Sequence, residues 1–339
     1  MKSASSAAAP IIALLLLAPF IAEVLYGGTR VSFIFVFIPQ VGAWGCGALI
    51  IRHIARARRL GWPSILLLGV ALGLAEECVI QQTSLAPMIG LAKAEYGRVW
   101  GVNWVYLTWA LGYWSVWVAL LPAQLVDLMY PKRRSAPWFG TRGLLRACLS
   151  FGIASFMAWF MWTQRARVKV FHMPPYNPPA LQLALAVAAI LLIILTALVL
   201  PVPRRSSRRA APAPWLVGTV ACLLGIPWGA FVLLGFGAYP QVPYRFVILG
   251  AGGLAGLTLF LMLRWTTSAT WNDAHRFALV YGGVMACMLS GFVMFRVLGA
   301  IPVDWIGKAV LNIAAAVWLA RLSRQVSTES SDLATTLSI

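Results

Sequence analysis

Apolar runs of about 20 residues recur along the whole chain, separated by short stretches rich in Lys, Arg, Pro and Gly. About 20 apolar residues wound as an α-helix cross the hydrocarbon core of a bilayer. The pattern therefore predicts ten spans: 8–27, 32–51, 62–82, 102–125 and 145–163, then 180–200, 214–237, 245–264, 277–295 and 302–320. The intervening loops are too short for a soluble domain. The expected fold is all-α, a polytopic transmembrane helix bundle in one domain over 1–326, followed by a polar, disordered cytoplasmic tail over 327–339. Two halves, 8–163 and 180–320, can be drawn, and LGVALGLAE from Leu68 echoes LGAGGLAG from Leu249. Gly, Leu and Ala match by chance in membrane helices, so the echo establishes no repeat.

Composition agrees with the pattern. Of 339 residues, 61% are hydrophobic and 11% charged, against about 25% charged in soluble domains. The net charge of +18 would suit a nucleic-acid partner if the basic residues lay on one surface, but they lie in the loops. Counting alternate loops puts 18 of the 27 Lys and Arg on one side and 8 on the other, with Lys308 inside the last span. Basic loops face the cytoplasm, so both termini are expected there and no nucleic-acid partner is implied. Lys2 precedes an apolar run from Ala7 to Ala22 without a following A-x-A site, and Glu23 continues the pattern, so this run reads as a first span rather than a leader.

Classical enzyme signals are missing from the text. Cys46, Cys78, Cys148, Cys222 and Cys287 lie in apolar segments without paired spacing, and His53, His172 and His275 fall on opposite sides of the map. Neither a metal nor an organic cofactor is expected, and no HExxH, GxSxG or Walker motif occurs.

Intramembrane ionisable groups are costly and mark sites by default. Glu23, Glu76 and Glu77 fall at similar depth near the outer ends of the first and third spans. Gly69, Gly73 and Glu76 follow helical spacing, so a second helix can approach that face closely, and Glu77 with Gln81 at i,i+4 can share a hydrogen bond. Pro19 lies four residues before Glu23 and predicts a kink. Gly225, Pro227 and Gly229 predict a bend or break in the seventh span. Tyr106, Trp109, Tyr113 and Trp117 share a face of the aromatic fourth span, and Asn103 stands at its mouth as a polar partner. Glu23, Glu76, Glu77, Gln81, Asn103, Trp109 and Tyr113 are thus the candidate residues for binding substrate or protons. Capping, pairing with Arg30, Arg165 or Arg296, and plain aromatic packing are the structural alternatives.

Read together, LAPFIAEVLYGGT, GALIIRHIARARRLGWPSILLLG, LAEECVIQQTSLAP and WNDAHRFALVYGG resemble a family of uncharacterised bacterial multi-pass membrane proteins. The resemblance implies a bacterial inner membrane and carries no activity. Glu76-Glu77 is also similar in part to the paired glutamates of the CPBP (CAAX-protease-like) intramembrane family. That family has Arg four positions after the second Glu, where Gln81 stands here, and its histidines lie on later helices, for which only Trp271-xxx-His275 offers a match. The expected function is a transporter or permease-like protein in contact with membrane lipids, acting on a small-molecule or lipid ligand. An intramembrane enzyme acting on a lipid, or a scaffold, are the alternatives.

Overall fold

The computed structural model describes residues 8–87, 96–203, 210–297 and 299–336. Lys2, Lys93, Arg204, Arg205, Arg208 and Arg209, which enter the charge count, lie outside the described residues, as does the end of the polar tail. Ten apolar helices follow in order: α1 Ala9–Leu25, α2 Val31–Ala57, α3 Trp62–Ile80, α4 Trp104–Met129, α5 Thr141–Lys169, α6 Ala180–Val199, α7 Pro214–Gly235, α8 Tyr244–Thr266, α9 Asp273–Arg296 and α10, whose apolar part is Pro302–Arg324. Among the described residues nine of these, all but the shorter α1, are long and apolar enough to cross a membrane. The last helix continues to Thr336. The only described strands, β1 Arg98–Val99 and β2 Val102–Asn103, pair antiparallel ahead of α4.

The bundle has an inner and an outer set of helices. Two thirds of the apolar stretches of α3 and α4 are buried, against 11% for α5 and α6, which turn large side chains such as Leu149, Phe156, Leu192 and Leu195 outward. Lipid is as apolar as leucine, so close packing rather than hydrophobicity decides which faces meet. Gly69 and Gly73 of α3 lie so near Ser115 and Trp114 of α4 that a methyl group there would collide. Likewise Gly218, Gly225 and Gly229 of α7 meet Ala278, Ala286 and Ser290 of α9, which aligns those two helices in parallel. The break expected near Pro227 does not occur there: the helix runs through Pro227 to Ala230, the Phe231 amide bonds to both the Pro227 and Trp228 carbonyls, and a short helix, Val232–Gly235, follows.

Five turns of π-helix, with their wider i→i+5 winding, occur among the described residues, one in each of the first five helices: Phe20–Leu25, Val41–Gly45, Ala75–Ile80, Trp114–Leu120 and Phe160–Ala166. In α1 the ladder is already broken ahead of the turn. Pro19 has no N–H, and Gly45 of α2 packs against the Leu15 carbonyl, which an amide at position 19 would otherwise have bonded.

Charged residues of alternate loops gather as the sequence map requires. Asp127 accepts hydrogen bonds from Arg52 at 2.9 and 2.6 Å and also pairs with Arg56, while Asp273 binds Arg134 and Arg276. Arg52, expected in an exposed basic loop, is only 1% exposed. Its guanidinium lies 3.3 Å from the centre of the Trp138 ring. On the intervening loops, Arg30 lies 4.0 Å from Asp304, Arg98 donates to the carbonyls of Leu85, Ala86 and Gly101, and Arg167 to Pro87 and Pro174.

Candidate functional site

Each of the three glutamates sits in a π turn, Glu23 in that of α1 and Glu76 and Glu77 in that of α3. Such turns are rare and recur at functional sites, because they release backbone groups from the helix ladder. In α1 the released carbonyls are taken up by three other helices. Tyr113 of α4 donates its hydroxyl to Ala22, Cys287 of α9 its thiol to Ile21 at 3.2 Å, and Lys308 of α10 its ammonium to Leu25 at 2.6 Å. Irregular backbone at membrane depth persists only where neighbouring side chains satisfy it, so this turn is the point at which α4, α9 and α10 are tied to α1.

Glu23 is the most accessible of the three glutamates, partly buried beside the exposed Gly28. Its Oε1 lies 3.1 Å from the Tyr113 hydroxyl. Its Oε2 receives Gln40 Nε2 at 3.3 Å and Thr29 Oγ1 at 3.5 Å, and Thr29 and Gln40 bond to one another. Tyr113 therefore offers one hydroxyl hydrogen to two acceptors, the Ala22 carbonyl and Glu23. Both contacts are filled at once when Glu23 brings the second hydrogen.

On α3 the close approach of α4 onto Gly69 and Gly73 brings Trp114 to Glu77: its indole N–H donates to Oε1 at 3.1 Å. Ser84, in the turn after the helix, donates to Oε2 at 3.4 Å. The expected Gln81 bond is not formed. Gln81 caps the end of the helix, its amide bonding back to the Glu76 carbonyl. Glu76 is fully buried and neither of its oxygens has a hydrogen-bond donor. Glu23 and Glu77 are linked through α4, whose consecutive residues Tyr113 and Trp114 hold one each. Pairing with the outer arginines does not occur: among the described residues no glutamate takes part in a salt bridge.

The aromatic face is packed rather than open. Trp109 stacks on Tyr113 with ring centres 4.9 Å apart and on Tyr26 at 6.0 Å, and Trp44 covers Trp114 at 5.4 Å. Tyr26 donates to the Gly229 carbonyl of α7 at 2.6 Å, just before the interruption at Phe231. Asn103 uses both ends of its amide, Oδ1 capping α4 at the Tyr106 amide and Nδ2 reaching the Gly235 carbonyl at 3.1 Å. It fixes the mouth of α4 to the end of α7. His275 has its ring nitrogens engaged by Asn272 at 2.7 Å and the Pro212 carbonyl at 3.0 Å, so it is a loop fastener and not a partner of the glutamates.

Thr29, Gln40, Trp114, Cys287 and Lys308 complete the site without having been singled out from the sequence. Lys308 carried a signal, as a charge in the middle of an apolar span; the others become polar neighbours only through packing. No family model, curated protein or solved structure matches the chain.

Proposed function

We propose that this chain is a transporter or permease-like protein of a bacterial inner membrane, both termini in the cytoplasm, that moves a small or amphipathic molecule by loading and unloading a proton or a monovalent cation at Glu23, Glu76 and Glu77. The observation that carries this reading is Glu76, a fully buried carboxyl with no donor on either oxygen. A bare carboxylate in such a place costs several kcal/mol, and a proton or a cation bound to it removes the cost. Occupancy of Glu76 is then the quantity the protein can alternate. Partly exposed Glu23 provides the way in, and Thr29, Gln40 and Tyr113 give an exchangeable proton or a bare cation polar partners as it passes. The 18-to-8 division of basic residues between alternate loops supports the orientation.

The test is infrared difference spectroscopy of reconstituted membranes on a pH or Na⁺ step, paired with ion flux into proteoliposomes. Wild type is expected to show a protonated-carboxyl band that responds to the step. Glu76→Gln should lose that band and reduce flux at least tenfold while inserting normally. Identical spectra and fluxes in wild type, Glu76→Gln and Glu77→Gln would overturn the proposal.

A further inference from the structure

Beside the α1 π turn lies a cavity of about 250 Å³ between α1, α4, α9 and α10. Its walls are wholly apolar, among them Phe20 and Leu25 of α1, Leu125 of α4, Val284 of α9 and Leu311 and Leu319 of α10. An apolar cavity of about 150 Å³ already accepts benzene, so this one has room for a longer hydrocarbon, and no polar group in it would hold water. From Leu311 to Leu319 it follows α10 for about 12 Å at 1.5 Å per residue.

The ends of the cavity differ in chemistry. Leu311, Ala314 and Trp318 line it at 3,4 spacing, and the next residue of that row is Arg321, which is exposed and forms no ion pair among the described residues. At the opposite end the row begins with Lys308, buried and committed to the Leu25 carbonyl. The cavity is therefore an alkyl-sized slot bordered by the turn that carries Glu23, with the exposed Arg321 one helical step beyond its Trp318 end. Its volume suits one chain and not two.

We propose that this slot binds a single-chain anionic amphipath, its alkyl chain between α1 and α10 and its acidic head on Arg321. The link to cargo rests on the transporter reading above, whereas the binding site stands on the lining and charge of the slot. A chain lying against Phe20, Ile21 and Leu25 presses on the turn held by Tyr113, Cys287 and Lys308, so its arrival and the state of Glu23 are mechanically connected.

The experiment is photolabelling of the full chain in nanodiscs with a diazirine-bearing fatty acid, the corresponding fatty alcohol and a diazirine-bearing two-chain phosphatidylglycerol, with adducts mapped by peptide mass spectrometry. The fatty acid is expected to mark peptides spanning Phe20–Leu25 and Leu311–Leu319 at least fivefold over those of α5, α6 and α8. Ala315→Phe, which fills the slot, should abolish these adducts. Surface variant Arg321→Gln, which leaves packing untouched, should lower fatty-acid labelling severalfold and spare the alcohol. Adducts spread evenly over α5, α6, α8 and α10, labelling equally strong in Arg321→Gln, or preference for the two-chain probe would each overturn the proposal. None of these readouts involves Glu76, so a failed slot and a failed proton site are separately visible.

Discussion

Glu76 and Glu77 are neighbours in the chain and differ in every contact. The wide winding of the π turn carries Glu77 onto the Gly73 face, where Trp114 and Ser84 meet it, and turns Glu76 away from both. Trp114→Phe keeps an aromatic ring against Trp44 but removes the N–H together with part of the indole. Losing a hydrogen bond to a buried carboxyl costs about 1–3 kcal/mol, so the variant is expected to unfold earlier in detergent by at least that amount and to alter Glu77-dependent flux, while Trp44→Phe, which also shortens a buried indole, leaves flux intact. At Gly27 the constraint is conformational. Its φ of +93° and the nearness of the Phe295 ring leave no room for a side chain. Gly27→Ala should cost about 1–3 kcal/mol, measured as thermal stability of the purified protein.

At the scale of elements, irregular winding and interhelical bonding imply one another. A straight α1 would bond its own carbonyls and leave Tyr113, Cys287 and Lys308 without acceptors; the π turn started by Pro19 offers those carbonyls to α4, α9 and α10. Lys308→Met keeps the length of the side chain and removes its donor. Hydrogen–deuterium exchange over residues 20–29 should then rise clearly above wild type, with little change in α5 and α6. Unchanged exchange would mean that the Leu25 bond does not hold the turn. All five π turns among the described residues fall in the first half, and α8 to α10 are regular, so the two halves differ in the feature on which the candidate site depends.

The molecule as a whole is held at one end by ion pairs and in the middle by shape. Arg52 and Asp127 join α2 to α4 with 1% and 0% exposure. Removing one partner of a buried pair strands the other and costs about 3–5 kcal/mol, so Asp127→Asn should markedly lower the unfolding temperature. Replacing the whole cluster, as Arg52→Met and Arg56→Met with Asp127→Leu, should recover most of that loss, since apolar substitutes of similar volume are tolerated in such positions. A triple variant as unstable as Asp127→Asn alone would show that the Arg52 bonds to the loop carbonyls of Arg133, Arg134 and Ala136, and not the ion pairs, carry the stability.

The number and approximate limits of the helices follow from the sequence alone, because crossing a bilayer is a requirement on local composition and length, and the alternation of basic loops is likewise a one-dimensional property. The choice of Glu23, Glu76 and Glu77, and of Gly69 and Gly73 as a contact face, was also within reach, since charge and size at a given depth can be read residue by residue. What the sequence did not contain is the partner of each. Gln81 stands at the right spacing from Glu77 and goes unused, Asn103 is spent on joining α4 to α7, and Arg52 leaves the basic loop for a buried carboxylate. Those outcomes depend on which helices lie side by side, and in a membrane this is decided by close fit and by the demands of unsatisfied polar groups rather than by hydrophobicity. The π turns belong to the same class: Pro19 announces an irregularity, but only donors arriving from α4, α9 and α10 make the wide turn the favourable form.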